Sequence, residues 1–175
     1  MTIEKDFNRA NPEQLKAISE TAVPKTKKQL QSFLGLCGWL REHVARAADT
    51  LAPLTNLLKK TRWSWPLGAT TAFERVKEVF SNPQPLARPD PNLPFILQTD
   101  ASMKGIAAVL YQETKDKQCC VISYASAKLN DAQQRWHANE QECYAALWAM
   151  RRYDITDIII ITNPINLFSF ERRIE

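Results

Sequence analysis

The sequence predicts a mixed α+β (or α/β) protein. An N-terminal helical subdomain spans 1–81, a connector 82–94, and a β-β-β-α-β unit 95–175, whose mixed sheet carries one packed helix. Three observations carry this expectation. Apolar residues recur at helical spacing through the first part. Five prolines fall within Asn82 to Pro94, a density that excludes regular helix and favours an extended connector. Short runs rich in apolar and β-branched residues follow, interrupted by one long amphipathic segment.

The helical elements come first. "NPEQLKAI" offers Asn11 as an N-cap and Pro12 at the first helical position. "TKKQ", Thr26 to Gln29, is a capping-box pattern opening a second helix, in which Leu30, Phe33, Leu34, Cys37, Leu40 and Val44 share one face. Gly35 and Gly38 lie inside that helix, at a cost of roughly 1 kcal/mol each relative to Ala, so a closely packed neighbour is expected to compensate. "TLAPLTNLLKK" reads as a short helix with Pro53 near its start. "TTAFERVKEVF" repeats the capping pattern at Thr71 and Glu74, with Phe73, Val76 and Phe80 on one face.

The strands follow. "FILQTD", "GIAAVLYQ" and "CCVISYAS" read as three strands, the first two joined by the short turn "ASMKG" as an antiparallel hairpin. "KLNDAQQRWHANEQ" is polar and partly helical in pattern. "NEQECYAALWAMRRY" is the clearest helix, with Cys143, Ala146, Leu147 and Met150 as its apolar stripe. "DIIIIT" then reads as a strand parallel to an earlier one, because a helix intervenes.

Composition narrows the function classes. The chain has 175 residues, 45% hydrophobic and 24% charged, with a net charge of +4, which permits a nucleic-acid partner without requiring one. Two histidines and four cysteines show no zinc-type spacing, and adjacent Cys119 and Cys120 read as reduced strand residues. The N-terminus lacks an apolar signal core, so an intracellular protein is expected.

Two acids stand out. Asp100 ends the first strand just before a turn, where either chemistry or a turn-forming side-chain bond would place it. Glu142 opens the long helix, three residues after Asn139; the pair also reads as a cap. A helix packed on the sheet brings Glu142 toward Asp100, and two such carboxylates repel unless a cation such as Mg²⁺ sits between them. Two-metal phosphodiester cleavage needs three or four carboxylates holding ions about 4 Å apart. The place for a third, beside Asp100, belongs to Asn163.

The stretches "PFILQTDAS", "GIAAVLYQ", "VISYASAKLNDAQQRW", "NEQECYAALWAMRRY" and "IIIITNPINLF" resemble the ribonuclease H domain of gypsy-type LTR retrotransposon polyproteins. "NPEQLKAISETAVPKTKKQLQSFLGLCGWLREHV", "LAPLTNLLKK" and "WSWPLGATTAFERVKEVFSNPQPLARPDPNLPF" resemble the thumb and connecting region of the same reverse transcriptases. The resemblance implies a ribonuclease H-like fold that cleaves RNA in RNA–DNA hybrids with Mg²⁺ or Mn²⁺. It maps metal ligands onto Asp100 and Glu142, and a third, an aspartate in the family, onto Asn163. The chain departs from the pattern there, and also in ending at Glu175, before the family's fifth strand and later acidic ligand, so a truncated domain is expected. "RRYDITDIIII" is shorter than the family's link between helix and strand, and no Y-x-D-D polymerase motif occurs.

These departures imply an impaired or inactive nuclease, derived from a retroelement polyprotein. The alternative is a domesticated, non-catalytic module that binds nucleic acid or protein on the same fold. In the thumb-like part, Lys25, Lys27, Lys28, Lys59, Lys60 and Arg62, together with Arg41 and Arg46, read either as phosphate contacts or as solvated helix faces interspersed with Glu20, Glu42 and Asp49. Trp63 and Trp65 read as packing between the two domains. Expected partners are an RNA–DNA hybrid or duplex, the remaining polyprotein domains, or a protein strand pairing with an exposed sheet edge.

Overall fold

The computed structural model describes residues 7–59, 61–154 and 158–162. Helices α1 (Pro12–Glu20), α2 (Lys27–Gly38), α3 (Ala47–Lys59) and α4 (Leu67–Ser81) enclose one apolar core, in which Ile18, Leu30, Cys37, Leu54, Phe73, Val76 and Phe80 are fully buried. A second layer is the four-stranded sheet β5-β4-β3-β6, formed by β3 (Phe95–Ala101), β4 (Gly105–Glu113), β5 (Cys119–Lys128) and β6 (Ile158–Thr162). The pairs β3–β4 and β4–β5 are antiparallel and β3–β6 is parallel, as the helix between them requires. Helix α5 (Ala138–Tyr153) covers one face of the sheet. The mixed α+β architecture is therefore the one predicted.

Local chemistry sets most helix ends. Asn11 Oδ1 accepts the Glu13 N–H at 2.9 Å, and Thr26 Oγ1 accepts the Gln29 N–H at 3.2 Å. Gln29 reaches back past the cap to the Lys25 N–H, at 2.7 Å. Helix α4 departs from expectation: it starts at Leu67 behind Pro66, leaving Thr71 and Glu74 inside it instead of at its cap. The Trp65 indole donates to Thr70 Oγ1 at 3.0 Å and ties the entering chain to the first turn. Likewise α3 starts at Ala47, so Pro53 lies inside the helix and leaves one helical N–H missing. Helix α2 ends at Gly38; Leu40 and Val44 stay buried from the 3₁₀ turn Arg41–His43 that follows.

Three further expectations are corrected. A Cβ built at Gly35 or Gly38 meets nothing within 4 Å, so no close neighbour compensates these glycines. Trp63 and Trp65 pack on the helical core, Trp65 edge-on to Phe73 at 6.2 Å, and not between the layers. Helix α5 turns Ala145 and Ala149 to the sheet and buries Gln141 against the Gln133 carbonyl, whereas Cys143, Leu147 and Met150 are exposed. The small side chains let the helix approach β3 and β4 closely, and that contact overrides the larger apolar stripe.

The proline-rich segment is pinned down. Its β2 (Leu86–Ala87) pairs antiparallel with β1 (Phe7–Asn8), and Leu86 is buried against Ile96, Val109, Tyr111 and Tyr124, on the sheet face opposite α5. Gln112, 2% exposed, accepts the Asp90 N–H at 2.9 Å and donates to the Asp90 and Leu93 carbonyls at 2.9 and 2.8 Å. Among the described residues no helix is long and apolar enough to cross a membrane.

Candidate functional site

Strand alternation sorts the end of β3. Leu97 and Ala101 pack under α5, and Ile96 belongs to the opposite face. Asp100 therefore turns toward the face carrying the helical layer, with its side chain 17% exposed. Glu142 reaches the same strand end from α5. Its Oε1 accepts the Ala101 N–H at 3.2 Å, while its Oε2 is buried without a partner. The neighbouring Thr99 hydroxyl is buried without a partner as well.

Glu142 is free for this contact because the cap lies elsewhere. The helix begins after His137, whose N–H donates to Glu140 Oε2 at 2.8 Å. The Asn139–Glu142 pair predicted as a cap is thus replaced by His137 and Glu140. Asn163 lies outside the described residues; the β3–β6 register ends at Thr99 opposite Thr162.

Arg46, expected as a phosphate contact or a solvated helix residue, instead pairs with Asp100. Arg46 stands between the 3₁₀ turn and α3 with φ 51, a left-handed backbone that costs a non-glycine residue energy. Its Nη2 lies 3.4 Å from Asp100 Oδ2, and its Nε lies 3.2 Å from Asp49 Oδ2. Asp49 in turn crowds the hairpin: a Cβ at Gly105 would stand 2.9 Å from Asp49 Oδ1 and 3.0 Å from the Ala127 carbonyl. No motif signals Arg46 or Asp49, because both arrive by packing of the helical layer on the sheet. Ser126 Oγ accepts the Ala48 N–H at 2.8 Å, Arg41 Nη2 donates to the Ser126 carbonyl at 3.2 Å, and Lys128 Nζ donates to Asn56 Oδ1 at 2.7 Å. A cleft of 830 Å³ lined by Asp49, Asn56, Ser102, Lys104 and Lys128 opens along this junction.

The electrostatics follow the geometry. Burial pushes the Asp100 carboxyl above its ordinary range; Arg46 opposes the shift and Asp49 adds to it. Burial raises Glu142 as well, against the Ala101 N–H and with the help of the Asp100 charge. The two carboxylates therefore feel each other in a poorly hydrated place. Among the described residues no group of three or more His, Cys, Asp or Glu converges to hold a metal ion.

The basic residues are dispersed. Lys25 and Lys28 are exposed and line a cleft of 710 Å³ with Phe33 and Leu36 at the start of α2. Lys27 is half-buried on the same turn, whereas Lys59 and Arg62 are exposed at the far end of α3 and do not line that cleft. Lys60 lies outside the described residues.

Comparison with known proteins agrees with this architecture. The Tf2-3 and Tf2-4 transposon polyproteins of Schizosaccharomyces pombe are each 32% identical over 142 residues, covering 81% of this chain. The chain spans only 11% of the length of those relatives. The foamy viral protease-reverse transcriptase in complex with an RNA/DNA hybrid superposes with a TM-score of 0.77 at 21% identity, over 93% of this chain and 23% of that one. The dRH form of that protein, in complex with double-stranded DNA, gives 0.76 at 21% identity, over 93% of this chain and 29% of that one. A family described as the RNase H-like domain found in reverse transcriptase matches residues 65–156, more than half of the sequence, and the chain belongs to that family.

Proposed function

We propose that this chain is the thumb-connection and ribonuclease H part of a gypsy-type LTR retroelement polyprotein, with the boundaries 1–81, 82–94 and 95–175. In this reading it engages an RNA–DNA hybrid, and Asp100 and Glu142 hold a divalent cation, Mg²⁺ or Mn²⁺. The observation that carries the reading is the buried, unpartnered Glu142 Oε2, held at the strand end that bears Asp100 and within the influence of its charge. An orphaned carboxylate oxygen in a poorly hydrated place is costly unless a cation completes it, and carboxylate oxygens are the ligands that Mg²⁺ takes. Bound there, the cation would supply charge neutralisation for phosphodiester cleavage. Asp100 and Glu142 would orient it, and Ala101 N–H would fix Glu142 Oε1 so that Oε2 faces the ion.

Asn163 would offer a carbonyl oxygen but no charge at the third position, so cleavage is expected to be weak. Support for the substrate class comes from the structural neighbours, which were solved with double-stranded DNA and with an RNA/DNA hybrid. Lys25, Lys27, Lys28, Lys59, Lys60 and Arg62 would contribute phosphate contacts, making binding salt-dependent. The isoleucines of β6, with Ile159 to Ile161 exposed, would meet the remaining polyprotein.

The test is a labelled hybrid incubated with Mg²⁺ or Mn²⁺ and purified protein, beside an Asp100→Asn control. Weak cleavage that disappears in the control supports the assignment. Binding without any cleavage removes the nuclease reading and leaves a binding module.

A further inference from the structure

We infer that Arg46 is a built-in counter-ion that takes the place of the divalent cation at Asp100, so that cation binding competes with a contact between the helical layer and the sheet. This inference rests on the reading of Asp100 and Glu142 as cation ligands.

The geometry is specific. Arg46 comes from the helical layer, yet its Nη2 stands 3.4 Å from Asp100 Oδ2 on the sheet. Its guanidinium is shared, since Nε faces Asp49 Oδ2 at 3.2 Å. That Nε is buried and lacks an aligned hydrogen bond, so the placement does not satisfy Arg46 fully. The backbone is held in a left-handed conformation, φ 51, with its carbonyl accepting the Asp49 and Thr50 N–H groups at 3.0 and 3.3 Å. A strained backbone and an imperfectly bonded guanidinium are an expensive way to make a merely structural ion pair.

The charge balance explains the cost. Without Arg46, both Asp49 and Asp100 would lose their ion-pair partner at the junction. One fixed monovalent charge serves both carboxylates. A divalent ion arriving at Asp100 would meet a like charge a few ångströms away, where repulsion is strong in a poorly hydrated place. Asp49 gives Arg46 somewhere to remain when Asp100 changes partner. Release of Asp100 would then loosen one link between the layers, and the Ser126–Ala48 and Lys128–Asn56 bonds would keep the rest.

Mn²⁺ binding to the whole chain, read by the electron paramagnetic resonance signal of the free ion, tests this without any assay of cleavage. Glycine adopts φ 51 without strain, so Arg46→Gly removes the charge while keeping the backbone. Arg46→Gly is expected to bind Mn²⁺ about tenfold more tightly than the unaltered chain, with Arg46→Lys close to the unaltered chain. Asp100→Asn should abolish binding in both backgrounds. If Asp100→Asn abolishes Mn²⁺ binding but Arg46→Gly binds no more tightly, the inference fails and the ligand assignment stands. Equal gains in Arg46→Gly and Arg46→Lys would also overturn it, since charge would not be the cause. Mn²⁺ binding that is absent throughout, or indifferent to Asp100→Asn, overturns both readings.

Discussion

The Ser126 hydroxyl on β5 accepts the Ala48 N–H at 2.8 Å across 78 residues of sequence. It does the work of an N-cap for α3, whose preceding residue, Arg46, points its side chain at Asp49 and Asp100. The sheet therefore caps the helix that carries Arg46 and Asp49 to the site. Ser126→Ala should cost about 1 kcal/mol of stability. Urea denaturation would measure it, and an unchanged midpoint would show that solvent caps α3 equally well.

Gln112 is the second cross-link. Its carboxamide makes three bonds to the backbone of the proline-rich segment at Asp90 and Leu93. Gln112→Leu keeps the volume but strands those backbone groups, and it should cost roughly 1–3 kcal/mol. The same variant should speed proteolysis within 88–94. Stability equal to the parent would mean that water replaces the amide.

The helical glycines give a prediction of opposite sign. Gly35 is exposed within α2, and a Cβ there meets nothing within 4 Å. Gly35→Ala should therefore stabilise by roughly 0.5–1 kcal/mol, through helix propensity and a less flexible unfolded chain. A loss on thermal unfolding would show that this position meets something beyond the described residues.

The strands, the hairpin and the parallel sense of β6 could be read from the sequence, because a buried strand needs only apolar continuity and its connection sets its direction. The approach of Glu142 to the strand end bearing Asp100 was legible for a related reason: each stands near an element end. Helix phase was harder to read. In α5 the decisive residues are Ala145 and Ala149, whose small size permits close packing but weighs little in any apolar pattern. In α4, Pro66 at the helix start outranked the Thr71–Glu74 pair. Arg46 and Asp49 could be read only as charges of the helical part, and Ser126 not at all. Each is an ordinary polar residue locally, and its role exists only once the helical layer has docked.

The raised carboxyls make a signed prediction. Asp100 and Glu142 lie above their ordinary values of 3.8 and 4.5, chiefly through burial. In the window from those values upward, the folded protein binds more protons than the unfolded chain. Their contribution to stability is thus fully present below the ordinary values and is lost as pH rises through the folded ones. Glu142→Gln retains an acceptor for the Ala101 N–H but removes the charge. In a chelating buffer the variant should melt higher than the parent at pH 7, and the gap should close as pH falls toward 4. Mg²⁺ should narrow the gap at pH 7 by stabilising the parent alone. Scanning calorimetry across that range checks all three outcomes. A parent that melts higher than Glu142→Gln at pH 7 without metal would show that the Glu142 charge is already compensated within the protein.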